Sequence, residues 1–316
     1  MTVAGTPDDH DLPVRAERAQ AIAERVETLP LLPGVVTRLL SLDPDSEKYF
    51  DDLVNIASSE PSFAVRVLRC ANSAASAPGQ PITSLTQAAN RIGAARCGQL
   101  ALAVAVARVF VPRTREQREL WAHSLRVASL SRLIAASSGA RTDICEAAYT
   151  AGLVHDIGRF AMFERVTDDF DRVAESEWET PQALLEVEEE LLGYDHTRLG
   201  QLICERWGLP APLVEIVRHH HRPAKNSERP DYRTLSIDTI QLADCIAIHV
   251  ERHPGSLNTS FQARALALDS DVKRAAPGTD VHMLEFLAEK LPDLEQQVDF
   301  TLTGTLGLSK LPEKAP

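Results

Sequence analysis

Cysteine is scarce in this 316-residue chain, and its spacing excludes a disulfide-rich scaffold. The cysteines are odd in number and form no Cys-x-x-Cys pair, so we interpret them as reduced thiols: Cys70, Cys97, Cys145, Cys204 and Cys245. The longest apolar run covers residues 100–107, far short of the ~18–20 residues that a membrane-spanning helix needs. Residues 1–13 contain three aspartates and no apolar segment, unlike a secretory signal. We therefore expect a cytoplasmic protein without a membrane span.

A second absence concerns strands, because no segment alternates apolar and polar residues for long, as a half-buried strand does. Apolar residues instead recur three and four positions apart, which is typical of amphipathic helices. The sequence therefore predicts an all-α fold. It also predicts one helix over residues 281–291, another over residues 292–298, and a solvated acidic helical face over residues 168–190.

Acidic residues are absent between residues 61 and 115, although the whole chain has a formal net charge of −12. The overall charge argues against general nucleic-acid binding and against binding to an anionic membrane surface. The acid-free stretch contains seven arginines: Arg66, Arg69, Arg91, Arg96, Arg108, Arg113 and Arg115. They either pair with acidic residues from the other half of the chain or form a face for an anionic ligand or partner.

The candidate site centres on the stretch Leu-Val-His-Asp-Ile-Gly-Arg at residues 153–159. His155 and Asp156 offer two different metal ligands, an imidazole nitrogen and a carboxylate oxygen, from neighbouring positions. We expect Gly158 to let the backbone turn at the end of this helix. Four other places in the chain carry residues of ligand type, namely His123, His196, the pair His220-His221, and Asp244.

The helical spacing around His123, His220 and Asp244 places each polar side chain on the apolar stripe of its helix. Burying a neutral polar group unpaired costs ~2–7 kcal/mol, and burying a charge costs more, so each group needs a partner. Taken singly, a buried histidine is usually hydrogen-bonded to a carbonyl, and Asp244 could pair with an arginine. Taken together, these residues predict one shared metal site.

The order of these residues resembles that of the HD superfamily of metal-dependent phosphohydrolases. The local strings are closer still to its HDOD branch: YDHTRLGQLICERWGLP around His196, LVEIVRHHHRP for the double histidine, and QLADCIA around Asp244. The upstream half is similar to the same branch through LPLLPGVVTRLL, SSEPSFAVRVLRCANSA and ITSLTQAANRIG. The resemblance covers about residues 25 to 250.

This resemblance implies an HDOD-like fold of two packed helical subdomains that meet near residue 111. The second subdomain resembles an HD-type helical bundle. On this division, residues 1–13 are a flexible N-terminus and residues 14–110 the N-terminal helical subdomain of HDOD. Residues 111–252 are the HD-like subdomain with the metal site, and residues 253–316 are a C-terminal helical extension and tail.

The resemblance also implies a divalent metal site of one or two ions, and the imidazole-rich ligands favour Fe, Mn, Zn or Ni. The expected ligands are His123, His155, Asp156, His196, His220, His221 and Asp244. Of these, His196, His220 and His221 would hold a second ion or contact phosphate, whereas His219 takes the place of a residue that is not a ligand. Glu119 lies one turn before His123 and either adds a carboxylate or is a solvated glutamate.

Two departures from the superfamily bear on catalysis, for which Asp156 and Arg159 are the candidate residues. Its catalytic cyclic-dinucleotide phosphodiesterases carry Gly-Tyr-Pro after the double histidine, where this chain has Arg-Pro-Ala-Lys-Asn, and lysine where it has Arg159. Arginine binds phosphate but stays protonated, so it is a poor proton donor. We therefore expect a bacterial-type HDOD signal-transduction module that acts through a protein partner or a phosphorylated small ligand. The alternative is an active metal-dependent phosphohydrolase, either a phosphodiesterase or a nucleotide phosphatase.

Overall fold

The structure, a computed structural model, describes residues 48–58, 61–72, 82–165, 180–222, 231–276 and 278–308. It also describes the isolated residues 26, 27, 29, 31, 34, 38, 42, 46, 173 and 178. The N-terminus predicted to be flexible, residues 1–13, and the segment of residues 223–230 after the double histidine lie outside the described residues.

Every regular element in the described ranges is a helix, so the all-α prediction is confirmed. The helices before the site are α1 Tyr49–Ser58, α2 Pro61–Ala71, α3 Leu85–Ile92 and α4 Ala94–Val109. Those around the site are α5 Arg115–Ser137, α6 Thr142–Val154, α7 Ile157–Arg165, α8 Pro181–Leu192, α9 His196–Arg206, α10 Ala211–His219 and α11 Ile237–Arg252. A 3₁₀ turn, Pro254–Asn258, leads to α12 Phe261–Ala275, α13 Val281–Phe300 and a π turn, Thr301–Thr305. The subdomain boundary near residue 111 remains a prediction.

Polar caps set the starts of the helices that carry the site. Thr114 forms a capping box with Gln117 at the start of α5. The Asp195 side chain accepts a hydrogen bond from the Arg198 amide at the start of α9, and Ser236 caps α11 in the same way through Thr239. Because these caps satisfy amide donors at each first turn, they define where the site-bearing helices begin.

Helix α5 is the centre of the packing, since α6, α11 and α13 all lie against it. Its buried face contains His123 among apolar residues such as Leu120, Val127 and Ile134. Gly152 permits the close approach of α6, because a Cβ atom at that position would lie 2.7 Å from the Cα atom of Ala128. The predicted apolar stripe of α5 is therefore the stripe that the core buries.

Gly158 has a different role from the predicted turn. It lies inside α7, and the chain turns earlier, at His155 and Asp156. A Cβ atom on Gly158 would lie 1.9 Å from the carbonyl oxygen of His196. The glycine is therefore needed for the close contact between α7 and α9, which brings His155 and Asp156 against the start of the helix that carries His196.

The acid-free stretch folds into helices that precede the site. Arg66, Arg69 and Arg108 lie near one another, and partial burial followed by the charges of Arg108 and Arg69 lowers the pKa of Arg66. Arg115 pairs with Glu119, one turn along its own helix, at 2.7 Å. No single helix in the described ranges has the length and apolarity to span a membrane, although the bent pair Leu85–Ile92 and Arg96–Val109 meets these criteria jointly.

The prediction of two helices around Pro292 is wrong, since α13 runs without interruption from Val281 to Phe300. Proline has no amide hydrogen, so the carbonyl of Ala288, four residues earlier, loses its helical donor. The Nε atom of Arg264 on α12 donates to that carbonyl at 2.8 Å instead. The helix also keeps one buried apolar face on both sides of the proline, with Leu284 and Leu287 before it and Leu294 after it.

This pairing predicts that the effects of substitutions at residues 264 and 292 are not additive. Arg264→Met should lower the free energy of unfolding by roughly 2–4 kcal/mol, because the buried Ala288 carbonyl and the part-buried carbonyls of Leu257 and Thr259 lose their donor. In that background Pro292→Ala should recover about 1–3 kcal/mol, because an amide hydrogen returns to the Ala288 carbonyl. Urea unfolding of the four proteins in this double-mutant cycle measures the coupling.

The matched control is Arg198→Met, which removes an exposed arginine of another helix and should have little effect. Equal effects of Pro292→Ala with and without Arg264 would show that the arginine does not replace the missing donor.

Candidate metal centre

The structure brings together every residue that the sequence proposed as a metal ligand. His123 comes from α5, His155 and Asp156 lie between α6 and α7, and His196 is the first residue of α9. His220 and His221 follow α10, and Asp244 comes from the middle of α11. Most of these side chains are almost completely buried: His123, His155, Asp156, His196, His220 and Asp244.

A first group of ligand atoms surrounds the Nε2 atom of His123. That nitrogen lies 3.2 Å from Oδ1 of Asp244 and 3.4 Å from Nε2 of His155. The Oδ2 atom of Asp156 lies 3.8 Å from the same nitrogen of His123 and 3.7 Å from Nε2 of His155. Ligands at ~2.1 Å from one tetrahedral ion lie roughly 3.4 Å apart, so the spacings among His123, His155 and Asp156 fit a single ion, and Asp244 lies next to this group beside His123.

A second group forms around the other oxygen of Asp156. Its Oδ1 atom lies 3.2 Å from Nε2 of His196 and 3.5 Å from Nε2 of His220. His221 belongs to the same group, and its Nδ1 atom lies 3.7 Å from Oδ2 of Asp244. Both aspartates therefore face the two groups with different oxygens, and this arrangement suits two neighbouring ions.

Three atoms of the second group have no hydrogen-bond partner although they are fully buried. They are Oδ1 of Asp156 and the Nε2 atoms of His196 and His220. An unsatisfied buried polar atom costs on the order of 1–3 kcal/mol, and more when it is charged. A bound cation would satisfy all three atoms at once, so the donor set fits a divalent metal.

Four of the histidines are oriented by a hydrogen bond on the ring nitrogen that faces away from the aspartates. The Nδ1 atoms of His155 and His220 lie 2.8 Å and 2.9 Å from the carbonyl oxygens of Gly152 and Val217. Those of His196 and His123 lie 2.6 Å and 2.9 Å from the carboxylates of Glu188 and Glu251. Because these oxygens only accept, each Nδ1 donates, which leaves Nε2 as the ligand atom.

Glu188 corrects the interpretation of residues 168–190 as a solvated acidic face. Its side chain is buried, and its Oε2 atom accepts from both the amide and the ring of His196, at 2.8 Å and 2.6 Å. The sequence contained the signal, because Leu184, Glu188 and Leu192 follow one another in steps of four on the buried face of α8. The spacing that identified His123 therefore also identifies Glu188.

Glu251 was also missed, and it connects His123 to the C-terminal extension. It lies seven residues after Asp244, two helical turns along the same face of α11. Arg126 donates to Glu251 at 2.6 Å and binds both carboxylate oxygens of Glu295 on α13, at 2.5 Å and 2.9 Å. Glu295, in the extension, therefore binds Arg126. Arg126 in turn binds Glu251, which is the hydrogen-bond partner of the proposed ligand His123.

The electrostatics of the cluster divide the imidazoles into two kinds. Burial opposes the charge on His123, but the carboxylates of Glu251 and Asp244 outweigh burial and raise its pKa to about 10. For His196, Glu188 and Asp156 outweigh burial in the same way and also raise the pKa to about 10. Burial lowers the pKa of His155 to about 4.

For Asp156, burial works to raise the pKa, but the neighbouring His155, the charge of Arg159 and the imidazoles of His196 and His220 keep it well below its ordinary value. The carboxylate is therefore ionised and available to a cation.

Arg159, the other proposed catalytic residue, lies beside the centre and donates to Oδ2 of Asp156 at 3.1 Å. Glu119 is not part of either ligand group in the described residues and pairs with Arg115 instead. The Nε2 atom of His219 lies 3.5 Å from Oε1 of Glu215, one turn earlier on α10.

We expect Asp156→Ala to weaken metal binding by more than ~100-fold, because one carboxylate is shared by both ligand groups. Glu188→Gln keeps the shape of the carboxylate that orients His196 but removes its charge, and should weaken binding by ~10–100-fold. The matched control is His219→Ala, which should bind metal as the wild type does. Metal content after dialysis against Mn²⁺ or Zn²⁺ measures all three, and an unchanged Asp156→Ala protein would contradict the shared site.

Metal binding should also release protons. Because the pKa values of His123 and His196 are raised to about 10, both rings carry an extra proton at neutral pH before an ion binds. An ion that takes their Nε2 atoms displaces about two protons, so metal affinity should rise with pH until the pH passes the raised pKa values. A pH indicator in weakly buffered solution during a Zn²⁺ titration measures the release, and uptake without proton release would contradict this assignment.

The sequence comparison finds relatives that are longer than this chain. An uncharacterised protein of Treponema pallidum (strain Nichols) is 24% identical over 228 residues, which are 72% of this chain and 43% of that protein. This chain spans less than half the length of the curated relatives that it matches.

The structural comparison finds the same fold in proteins of low sequence identity. A presumed phosphohydrolase from Shewanella amazonensis SB2B matches with a TM-score of 0.66 and 23% identity, covering 89% of this chain and 98% of the other. A presumed signal transduction protein from Marinobacter aquaeolei VT8 also has a TM-score of 0.66, with 19% identity, covering 94% of this chain and 66% of the other. A model of the HDOD domain matches residues 29–223, more than half of the sequence, and the chain therefore belongs to the HDOD domain family.

Proposed function

We propose that this protein is an HDOD signalling module in which a two-ion His/Asp centre binds a phosphorylated small ligand. The observation that carries the proposal is the convergence of the proposed ligand atoms beside a cavity that reaches His123 and Arg159. One likeness in fold is to a presumed signal transduction protein, which supports the regulatory part of the proposal.

The cavity has the size and lining of a site for a small phosphorylated molecule. Its volume is about 430 Å³, within the range of roughly 300–1,000 Å³ that is usual for small-ligand sites. His123 and Arg159 line it beside the ligand cluster, where a phosphate would meet both a bound ion and a guanidinium. Leu120, Leu184 and Trp178 form an apolar part of the wall, which suits a nucleoside or a similar group.

The charges of the lining make ligand binding depend on the metal. Four glutamates, Glu116, Glu119, Glu188 and Glu251, line the cavity with only two arginines, Arg126 and Arg159. Both arginines are already held by carboxylates, Arg126 by Glu251 and Glu295, and Arg159 by Asp156. The cavity therefore repels an anion until divalent cations reverse the local charge.

The second candidate function is metal-dependent phosphohydrolysis, which the completeness of the ligand set favours. Divalent ions bound there would lower the pKa of a water molecule and neutralise charge on a phosphoryl group. Asp156 would hold the ions, and Arg159 would orient the phosphate while staying protonated. The presumed phosphohydrolase with the same fold supports this alternative.

A protein partner is the remaining part of the signalling proposal. Arg66, Arg69 and Arg108, whose charges act on one another, favour an acidic surface on such a partner.

Binding and turnover together separate the two functions. We expect Mn²⁺-loaded protein to bind adenosine monophosphate in a calorimetric titration, and the metal-free protein and the Asp156→Ala variant to show no binding. Adenosine is the matched control ligand, and it should bind at least ~10-fold more weakly because it lacks the charged group. In a separate assay of the same Mn²⁺-loaded protein, we expect hydrolysis of phosphomonoesters, phosphodiesters and cyclic dinucleotides to stay near background.

Two outcomes would contradict this expectation in different ways. Hydrolysis that follows metal content through purification and disappears in Asp156→Ala would establish the phosphohydrolase. Equal binding of the nucleotide with and without metal would show that the centre does not create the anion site.

A further inference from the structure

We propose that His249, His253 and Asp271 form a second metal site, separate from the centre and suited to Zn²⁺. His249 and His253 stand at the C-terminal end of α11, and Asp271 comes from α12. The proposal does not depend on the proposed function, because it concerns other residues and a different face of α11.

The separation from the centre follows from helix geometry. His249 comes five residues after Asp244 on α11, and five residues turn an α-helix by about 140° beyond one full turn. Asp244 therefore faces α5 and the ligand cluster, whereas His249 faces α12. None of the three residues belongs to the ligand groups around Asp156.

The three side chains converge as metal ligands do. His249 and His253 are four residues apart, and their ring centroids lie 4.9 Å from each other. The Nδ1 atom of His249 lies 2.7 Å from Oδ2 of Asp271. One ligand atom from each residue lies within 4.8 Å of the other two, so small side-chain movements would bring all three onto one ion.

A hydrogen bond between His249 and Asp271 accounts for only part of this arrangement. His249 is buried, and its Nε2 atom has no hydrogen-bond partner in the described part of the chain. Because Nδ1 of His249 already lies beside Oδ2 of Asp271, it is the nitrogen that would share an ion with Asp271, once the two atoms move from 2.7 Å to the roughly 3.4 Å that separates two ligands of one tetrahedral ion. The neighbouring His253 is exposed, which gives an ion a route from solvent and leaves a position for water.

The donor set selects the class of metal. Two imidazoles and one carboxylate are the ligands of zinc sites that keep one position for water, and they suit late first-row divalent ions better than Mg²⁺ or Ca²⁺. Zn²⁺ tolerates the tetrahedral arrangement that three protein ligands and one water would give. The Asp271 carboxylate also supplies negative charge, which the imidazoles lack.

The site would fasten the C-terminal extension to the domain. Asp271 lies on α12, in the C-terminal extension that follows α11. The ion would join α12 to α11, the helix that also carries Asp244 and Glu251. Removing the ion should therefore loosen residues 253–308 without removing any ligand of the centre.

The test compares full-length wild type, His253→Ala and Asp271→Asn, purified without metal-affinity resin and dialysed against Zn²⁺. We expect each variant to lose one equivalent of zinc relative to the wild type, or to bind that equivalent at least ~10-fold more weakly. His282→Ala, which removes another exposed histidine of the extension, is the matched control and should keep the full zinc content. Because His253 is exposed, its variant should fold, and circular dichroism together with the zinc retained at the centre checks this.

A second readout follows the extension itself. Zinc should slow proteolytic cleavage after residue 253 in the wild type and in His282→Ala, but not in His253→Ala. Equal zinc content and equal zinc protection in wild type and His253→Ala would overturn the proposal and leave His249 and Asp271 as a partly buried hydrogen-bonded pair.

Discussion

The two oxygens of Asp156 face two different sets of imidazoles, and the helices that carry them pack around this shared carboxylate. Burial makes an ionised carboxylate costly unless cations or donors surround it. Arg159 supplies one such contact at 3.1 Å, and imidazoles of both ligand groups approach the remaining sides. Helices from separate parts of the chain must end at or pass this point, so their packing leaves no room for a side chain at Gly152 or Gly158.

Much of the candidate site could be predicted from local periodicity. His123 and Asp244 interrupt apolar stripes, and a polar residue at a core position requires a partner wherever the helix packs. Periodicity predicts that a residue is buried, but it does not predict which residues of other helices will contact it. The meeting of α5 with α11 and of α7 with α9 is a property of tertiary packing, which no local pattern in the sequence records.

The missed residues show where local patterns stop being informative. Glu188 stood among so many acidic neighbours that composition outweighed its spacing, although its position on the α8 stripe was readable. Arg126 and Glu295 are different, because they are 169 residues apart and neither carries a local sign of the other. Pro292 was misinterpreted for the same reason, since the donor that makes the proline tolerable comes from another helix.

The contact between Arg264 and the Ala288 carbonyl constrains how this sequence could have changed over time. A proline introduced at residue 292 before the arginine would have left a buried carbonyl without a donor, whereas the reverse order passes through stable intermediates. Loss of the arginine likewise costs less after the proline has gone. The two positions should therefore vary together among descendants of this sequence, and the arginine should be the older of the pair.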